Sequence, residues 1–299
     1  MKQAKQSMRA AILWIFLFTI CVSGSASVAL FYYHHFKKQH LQQPQYNIVA
    51  ISQTTADKEP LKTIYLAELL QLSMDQPTNL FRFNSKEAQR ILLNSPLIKS
   101  ANIKKILPGT LYINYSLRKP FAYLSDYQNT VIDRERITFP FKPFFSPKRL
   151  PEIYLGLSDR NSFMWGKPLN DIKSKMAIYL VDWISENCCK DNSYLTRIDV
   201  SNILADSYGQ RQIVAILEES IENEEKNGIK ILVSYILRLS VDDYRSGFSN
   251  YLILKPVIHR HIKNKLNGVS ETAIRMDPII VDLRIPDLAY ISGITELNL

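Results

Sequence analysis

Glycine is scarce in this sequence, with nine in 299 residues. That leaves little room for a glycine-rich phosphate loop, and neither G-x-S-x-G nor H-E-x-x-H occurs. Cysteine is scarcer, at three. Cys21 lies in an apolar stretch, and Cys188 and Cys189 are adjacent near the end of a predicted helix. A disulfide between neighbours is strained, so the pair reads as packing residues or free thiols, and no disulfide framework exists. This fits a periplasm-facing protein stabilised by its core, and other compartments stay open. The single S-x-x-K, Ser116 to Lys119, closes an alternating strand without S-D-N or K-T-G and reads as chance. His259 and His261 stand two apart, which on a helix points them to different faces and argues against a metal pair. Asp133 and Asp282 sit in strand-like motifs where a structural hydrogen bond is the expected role, and Asp242 and Asp243 fit a helix start. The expectation is a protein with no catalytic, cofactor or metal site and no small-molecule substrate.

The formal net charge is +9. Lysine and arginine are spread along the chain, and no nucleic-acid motif accompanies them, so nucleic acid is not an expected partner. Attraction to an anionic membrane surface follows from the same charge.

The longest feature present is the run from Ala10 to Tyr33, which carries no charged side chain. As a helix of roughly 24 residues it is about 36 Å long, enough for a hydrocarbon core of about 30 Å. A cleaved signal peptide would explain the basic start (Lys2, Lys5, Arg9) and the small residues Gly24-Ser25-Ala26. It does not need the apolar continuation Val28 to Tyr33, which favours an uncleaved anchor. A buried soluble helix of that length without charge is rare. Lys2, Lys5 and Arg9 against Lys37 and Lys38 favour a cytoplasmic N-terminus and a body on the other side.

Beyond a polar stretch rich in glutamine, Tyr46 to Ile51 is strand-like. Leu61, Tyr65, Leu69 and Leu72 recur at helical spacing. Asn84 with Glu87 resembles a capping box ahead of Ala88, Ile91 and Leu92, and Asn94-Ser95-Pro96 stops that helix. Leu97, Ala101 and Ile103 share a strand face. Leu107-Pro108-Gly109-Thr110 makes a turn, and Leu111, Ile113, Tyr115 and Leu117 alternate as in a half-buried strand. The order is strand, helix, helix, strand, strand.

Further on, Asp171 to Glu186 reads as a helix with Ile172, Met176, Tyr179, Leu180, Trp183 and Ile184 on its packed face. Strands are expected at Leu195 to Val200, Gln212 to Leu217 and Ile229 to Leu239. The acidic run Glu218, Glu219, Glu222, Glu224, Glu225 reads as a solvated loop or helix face, without the spacing of a calcium loop. A helix from Asp242 carries Phe248, Tyr251 and Leu252, and Pro256 is expected to kink or end it.

These stretches carry a family resemblance. Asn79-Leu80-Phe81, Leu92 to Pro96, Ile98 to Ile103 and Leu107 to Leu111 resemble a POTRA domain. Leu117-Arg118-Lys119-Pro120-Phe121-Ala122 is similar to the close of that domain in the bacterial division proteins FtsQ and DivIB, with Leu117 where Glu is frequent. Asn129 to Asp133, Ile137 to Phe139 and Leu150 to Gly156 follow the family pattern, with Arg134-Glu135-Arg136 where a glycine is usual. Leu237-Arg238-Leu239-Ser240 and Ile280 to Pro286 resemble two later family motifs, with Ser240 for Gly and Ile285 for Tyr.

The resemblance implies an α+β protein: an N-terminal transmembrane helix, a POTRA domain of β-α-α-β-β order, and a C-terminal mixed β domain with flanking helices. The expected boundaries are 1–9 cytoplasmic tail, 10–33 anchor, 34–45 linker, 46–119 POTRA domain and 120–299 β domain. It implies a non-enzymatic divisome scaffold, single-pass in the inner membrane, that binds FtsB-like and FtsL-like partners in the periplasm. A POTRA-bearing secretion or outer-membrane assembly component and an anchored envelope enzyme are the alternatives. The first is expected to show repeated POTRA units or a barrel strand series, the second a convergent polar site; neither signature is visible. The expected mechanism is strand addition at an exposed edge. The closing stretch Ile279 to Leu299 is the expected edge, and Leu283, Arg284, Ile285, Ala289, Tyr290 and Ile291 are the expected partner-binding residues. The POTRA unit offers a second docking surface.

Overall fold

The computed structural model describes residues 2–157, 163–188, 192–223, 229–265 and 273–293. It is a mixed α+β chain that divides into two compact units: Met1–Asn94 with Ile98–Ser116, and Ser95–Leu97 with Leu117–Leu299.

The first unit begins with α1, Lys2–Gln42. One stretch of it, Phe16–Gln42, is long and apolar enough to cross a membrane. Along its apolar part Phe16, Phe18, Leu30 and Phe31 are exposed, an arrangement water penalises and hydrocarbon accepts. The helix continues through residues 34–42, where a linker is expected. Its end is tied to the unit. Asn79 Nδ2 donates to the His40 carbonyl at 3.0 Å, and the rings of His40, Tyr46 and Phe81 meet at 4.9, 5.3 and 5.0 Å.

The remainder is β1 (Ala50–Thr54), α2 (Thr63–Leu69), α3 (Ser85–Asn94), β2 (Ile98–Ile106) and β3 (Thr110–Leu117). This is the expected order, with the first strand shifted to start at Ala50, after a short turn of 3-10 helix at Pro44–Tyr46. The Asn84 side chain caps α3 by accepting from the Lys86 and Glu87 amides at 3.1 and 3.3 Å. Glu87 turns to Arg90 at 2.7 Å. Leu66, Leu92, Ile98, Leu111 and Ile113 are fully buried. The strand order is β1-β3-β2, with β1 parallel to β3 in the register Ala50 to Thr110. The turn between β2 and β3 therefore lies at the end of the sheet where the chain arrives from α1. Gly109 sits there because nothing larger fits. A Cβ would stand 2.2 Å from the Asn47 carbonyl oxygen.

The second unit contains β4 (Ala122–Leu124), β5 (Thr130–Ile132), β6 (Thr138–Pro140), β7 (Glu152–Tyr154), α4 (Ile172–Cys188), β8 (Ser193–Asp199), β9 (Ile213–Asn223), β10 (Ile229–Leu239), α5 (Tyr244–Lys265), β11 (Ala273–Arg275), β12 (Ile279–Leu283) and β13 (Tyr290–Ser292). All ten strands join one sheet in the order β13-β12-β10-β9-β8-β7-β4-β5-β6, with β11 beside β10. The long pair β9–β10 is antiparallel, and β11 and β12 both run parallel to β10. Alternate residues of β10 (Ile231, Val233, Tyr235, Leu237, Leu239) face the core beneath α4 and α5. The two helices meet through Trp183 and Phe248, whose rings lie 5.1 Å apart. The turn between β5 and β6 forms without the usual glycine, because Arg136 takes the left-handed conformation (φ 65°).

Three sequence expectations change here. The buried stripe of α4 is Ser174, Ala177, Ile178, Leu180, Val181, Ile184 and Cys188, rotated from the expected one, and Ile172 and Tyr179 are exposed. The acidic run is strand, not loop: β9 carries it to Asn223, and period two drops Glu219 onto the core face. Glu224, Glu225 and Cys189 lie outside the described residues. α5 does not end at Pro256 but continues past it to Lys265. A mid-helix proline costs about 3 kcal/mol, and the packing beyond it outweighs that. Ile258 and Ile262 are fully buried, and Lys255 Nζ and His259 Nε2 reach the Glu219 carboxylate at 2.9 and 3.0 Å.

Gly109→Ala should lower the unfolding free energy by about 2 kcal/mol, since the clash is with backbone that must shift. Denaturant titration of the full chain reads this, and an unchanged midpoint for the first unit's transition would show that the turn is not held against Asn47.

Candidate interaction edge

β12 is amphipathic with period two. Ile279, Val281 and Leu283 are buried in the core, while Ile280 and Asp282 face the other way. On its inner side β12 pairs with β10, which brings Arg238 beside Asp282. On its outer side it pairs antiparallel with β13, Val281 opposite Ile291 and Asp282 opposite Tyr290. β13 is the terminal strand, and among the described residues its outer edge pairs with nothing.

A charge cluster braces this edge. Arg284 grips Asp282 bidentately, Nε to Oδ1 at 2.9 Å and Nη2 to Oδ2 at 2.7 Å. Arg238 Nη1 approaches Oδ2 at 3.2 Å. The remaining arm of Arg284 donates to the Gly209 carbonyl at 2.8 Å, strapping the turn at Tyr208–Gln210 to the sheet. Burial by itself raises the Asp282 carboxyl; the Arg284 hydrogen bonds and the two arginine charges outweigh it and hold the group below its ordinary value. Beyond Arg284 the chain reverses at Asp287, which is left-handed (φ 59°), and enters β13. Gly293 ends the strand at φ +93°, where a Cβ would meet the Pro278 carbonyl oxygen at 2.8 Å.

Two shallow cavities flank the edge. One, of about 290 Å³, is lined by Tyr208, Arg211, Val241, Ile285, Leu288 and Tyr290 among others. The other, of about 300 Å³, lies towards α5 and is lined by Asn250, Ile253, Leu254, Leu288 and Ala289. Tyr208, Ile285, Leu288 and Tyr290 are 71%, 62%, 56% and 66% exposed.

The six residues expected from the sequence thus fall into three groups. Ile285 and Tyr290 present side chains outward, with Ala289 and Ile291 half-buried beside them. Arg284 is spent on Asp282 and Gly209. Leu283 is in the core and offers no side chain to a partner. Sequence reasoning missed Tyr208, Leu288 and Ile253. The first lies some 75 residues upstream and is brought close through the Arg284–Gly209 bond and through its own hydroxyl, which donates to Asp242 at 3.1 Å. The smaller sheet has edges too. The outer side of β1 adjoins a cavity of about 180 Å³ that includes Val49, Thr63, Ala67, Leu72 and Met74.

Residues 59–114 match the family model of the POTRA domain, FtsQ-type. This match supports the resemblance to the FtsQ/DivIB proteins read from the motifs. The POTRA unit so defined is a generally non-enzymatic module, and an FtsQ-type one points to protein–protein interaction in division. No curated protein matches the chain. No group of three or more metal-binding side chains occurs among the described residues.

The Asp282 geometry has a pH signature. A carboxyl depressed in the folded state adds stability above its unfolded value, about 3.9, and loses it as pH falls through the lower folded value. Asp282→Asn should therefore be destabilised most at neutral pH, and the gap from wild type should close as pH drops below about 4. Denaturant unfolding at both ends of that range reads it, and a gap independent of pH would overturn the assignment.

Proposed function

We propose that this chain is a non-enzymatic division scaffold of the FtsQ/DivIB type, held in the inner membrane by α1 with a cytoplasmic N-terminus and a periplasmic body. Residues 46–119 form its POTRA domain and 120–299 its β domain. The carrying observation is an FtsQ-type POTRA match at residues 59–114 in a chain whose preceding helix is long and apolar enough to cross a membrane. The partners are FtsB-like and FtsL-like proteins.

The binding mode is strand addition on β13. A partner segment supplies the hydrogen bonds that the outer edge of β13 leaves open. Its side chains alternate in direction with period two. One set meets the cavity of Tyr208, Ile285 and Tyr290, and the other meets that of Ile253 and Leu288. Leu283 and Arg284 act from behind, the first by packing the edge on the core and the second by strapping it.

Topology is tested by a reporter fused after Leu299 that is active only outside the cytoplasm. It should be active in a full-length product that stays with membranes; a soluble product beginning near Ser27 would defeat the anchor. The edge is tested by proline at Tyr290 and at Ile291. Neighbouring residues point their N–H groups to opposite sides. One variant should stay folded and capture partner about tenfold less well, the equivalent of about 1.4 kcal/mol. The other should lose stability, having surrendered a bond to β12. Two folded variants with wild-type capture would move the site to the POTRA unit.

A further inference from the structure

We propose that the turn between β2 and β3 is a membrane-contact element. It lays Ile106 and Leu107 into the surface of an anionic bilayer while Lys104 and Lys105 engage lipid phosphates. The proposal rests on α1 being a membrane anchor.

Placement comes from register. β1 is parallel to β3, Ala50 beside Thr110, so the turn preceding β3 shares its end of the sheet with the chain arriving from α1. The backbone closes the approach: Val49 N donates to the Gly109 carbonyl at 2.9 Å, and Gly109 abuts Asn47. Asn47 is itself only a few residues beyond the end of α1 at Gln42. From Tyr33, where the charge-free run stops, to Gln42 the helix rises about 14 Å. The headgroup layer accounts for about 5–8 Å of that on each side of the hydrocarbon. The entry end of the unit therefore stands close above the headgroups.

Composition supplies the occupant. Leu107 is 63% exposed and Ile106 46%, with Val49 exposed at the same end of the sheet. Lys104 and Lys105 are exposed beside them. No Asp or Glu occurs between Glu87 and Asp126, and none precedes Asp57, so no acidic side chain in these segments opposes an anionic surface. Aliphatic side chains next to lysines, without acids, suit an interface in which apolar groups enter and ammonium groups stay with phosphate. The strap of Asn79 and the ring contacts of His40, Tyr46 and Phe81 hold the unit to the helix, so the turn is not free to swing away.

The test uses the full chain, with Cys21, Cys188 and Cys189 replaced by Ser, in vesicles of phosphatidylethanolamine and phosphatidylglycerol. A nitroxide is placed at Leu107→Cys or, in the loop that follows the far end of β1, at Lys58→Cys. Collision with a water-soluble nickel chelate should be severalfold lower at 107 than at 58. That difference should vanish in phosphatidylcholine vesicles or with Lys104→Glu and Lys105→Glu. Equal collision rates at both positions in carbonate-resistant protein would overturn the contact and leave the anchor standing. Protection at 107 that survives both changes would also overturn it, because protein rather than anionic lipid would then be covering the turn. Release of the protein by carbonate would remove the anchor and this proposal together.

Discussion

A sheet satisfies its backbone everywhere except at its ends, and the candidate site is made of that remainder. In the larger sheet β10 is the strand on which the arrangement depends. It pairs with β9 along its whole length and with β11 and β12 in succession on its other side. Once β10 has taken both neighbours, β12 must find its second partner in the chain that follows, and β13 is short and lies outermost. Unpaired N–H and C=O groups are costly to bury and are templates for another chain when left open. The edge is braced: Asp282 collects Arg284 and Arg238, and Arg284 draws in the turn at Gly209, which is the rigid form that the proposed strand addition requires.

A second constraint acts on the covered face. The core-facing row of β9 reads Ile213, Ala215, Leu217, Glu219, Ile221, so an alternating apolar pattern is interrupted by a carboxylate. An unpaired buried charge costs several kcal/mol. The cost is avoided because α5 brings Lys255 and His259 to it, and Lys255 also reaches Ser193 at 3.1 Å. The lysine and histidine sets that hold Glu219 outweigh burial and keep its carboxyl below the ordinary range. The same contacts lock α5 on both sides of Pro256. Nearby, the hydroxyl of Tyr235 is buried without a hydrogen-bond partner among the described residues, and burial pushes its ionisation well up.

Much of this was legible from local pattern. The alternation in Leu111 to Leu117 and in Ile229 to Leu239 marks strands because period two is a property of the strand itself. Asn84 ahead of α3 marks a cap for the same local reason. Pattern failed where a distant partner decided the outcome. Glu219 looks like part of a solvated run until α5 is placed over it. Pro256 looks like a stop until the buried Ile258 and Ile262 are seen beyond it. Arg136 supplies the left-handed turn where glycine was expected.

By itself the sequence determined the charge-free helix at the start, the order of elements in the POTRA unit and the strand character of the closing segment. Each depends on composition and periodicity within a few turns of chain. Only the tertiary structure decided which strand is outermost, that Leu283 faces inward while Tyr290 faces out, and that Tyr208 and Ile253 join the edge. Those facts depend on register and on which elements pack together, and such contacts link residues too far apart in the chain for any local pattern to record.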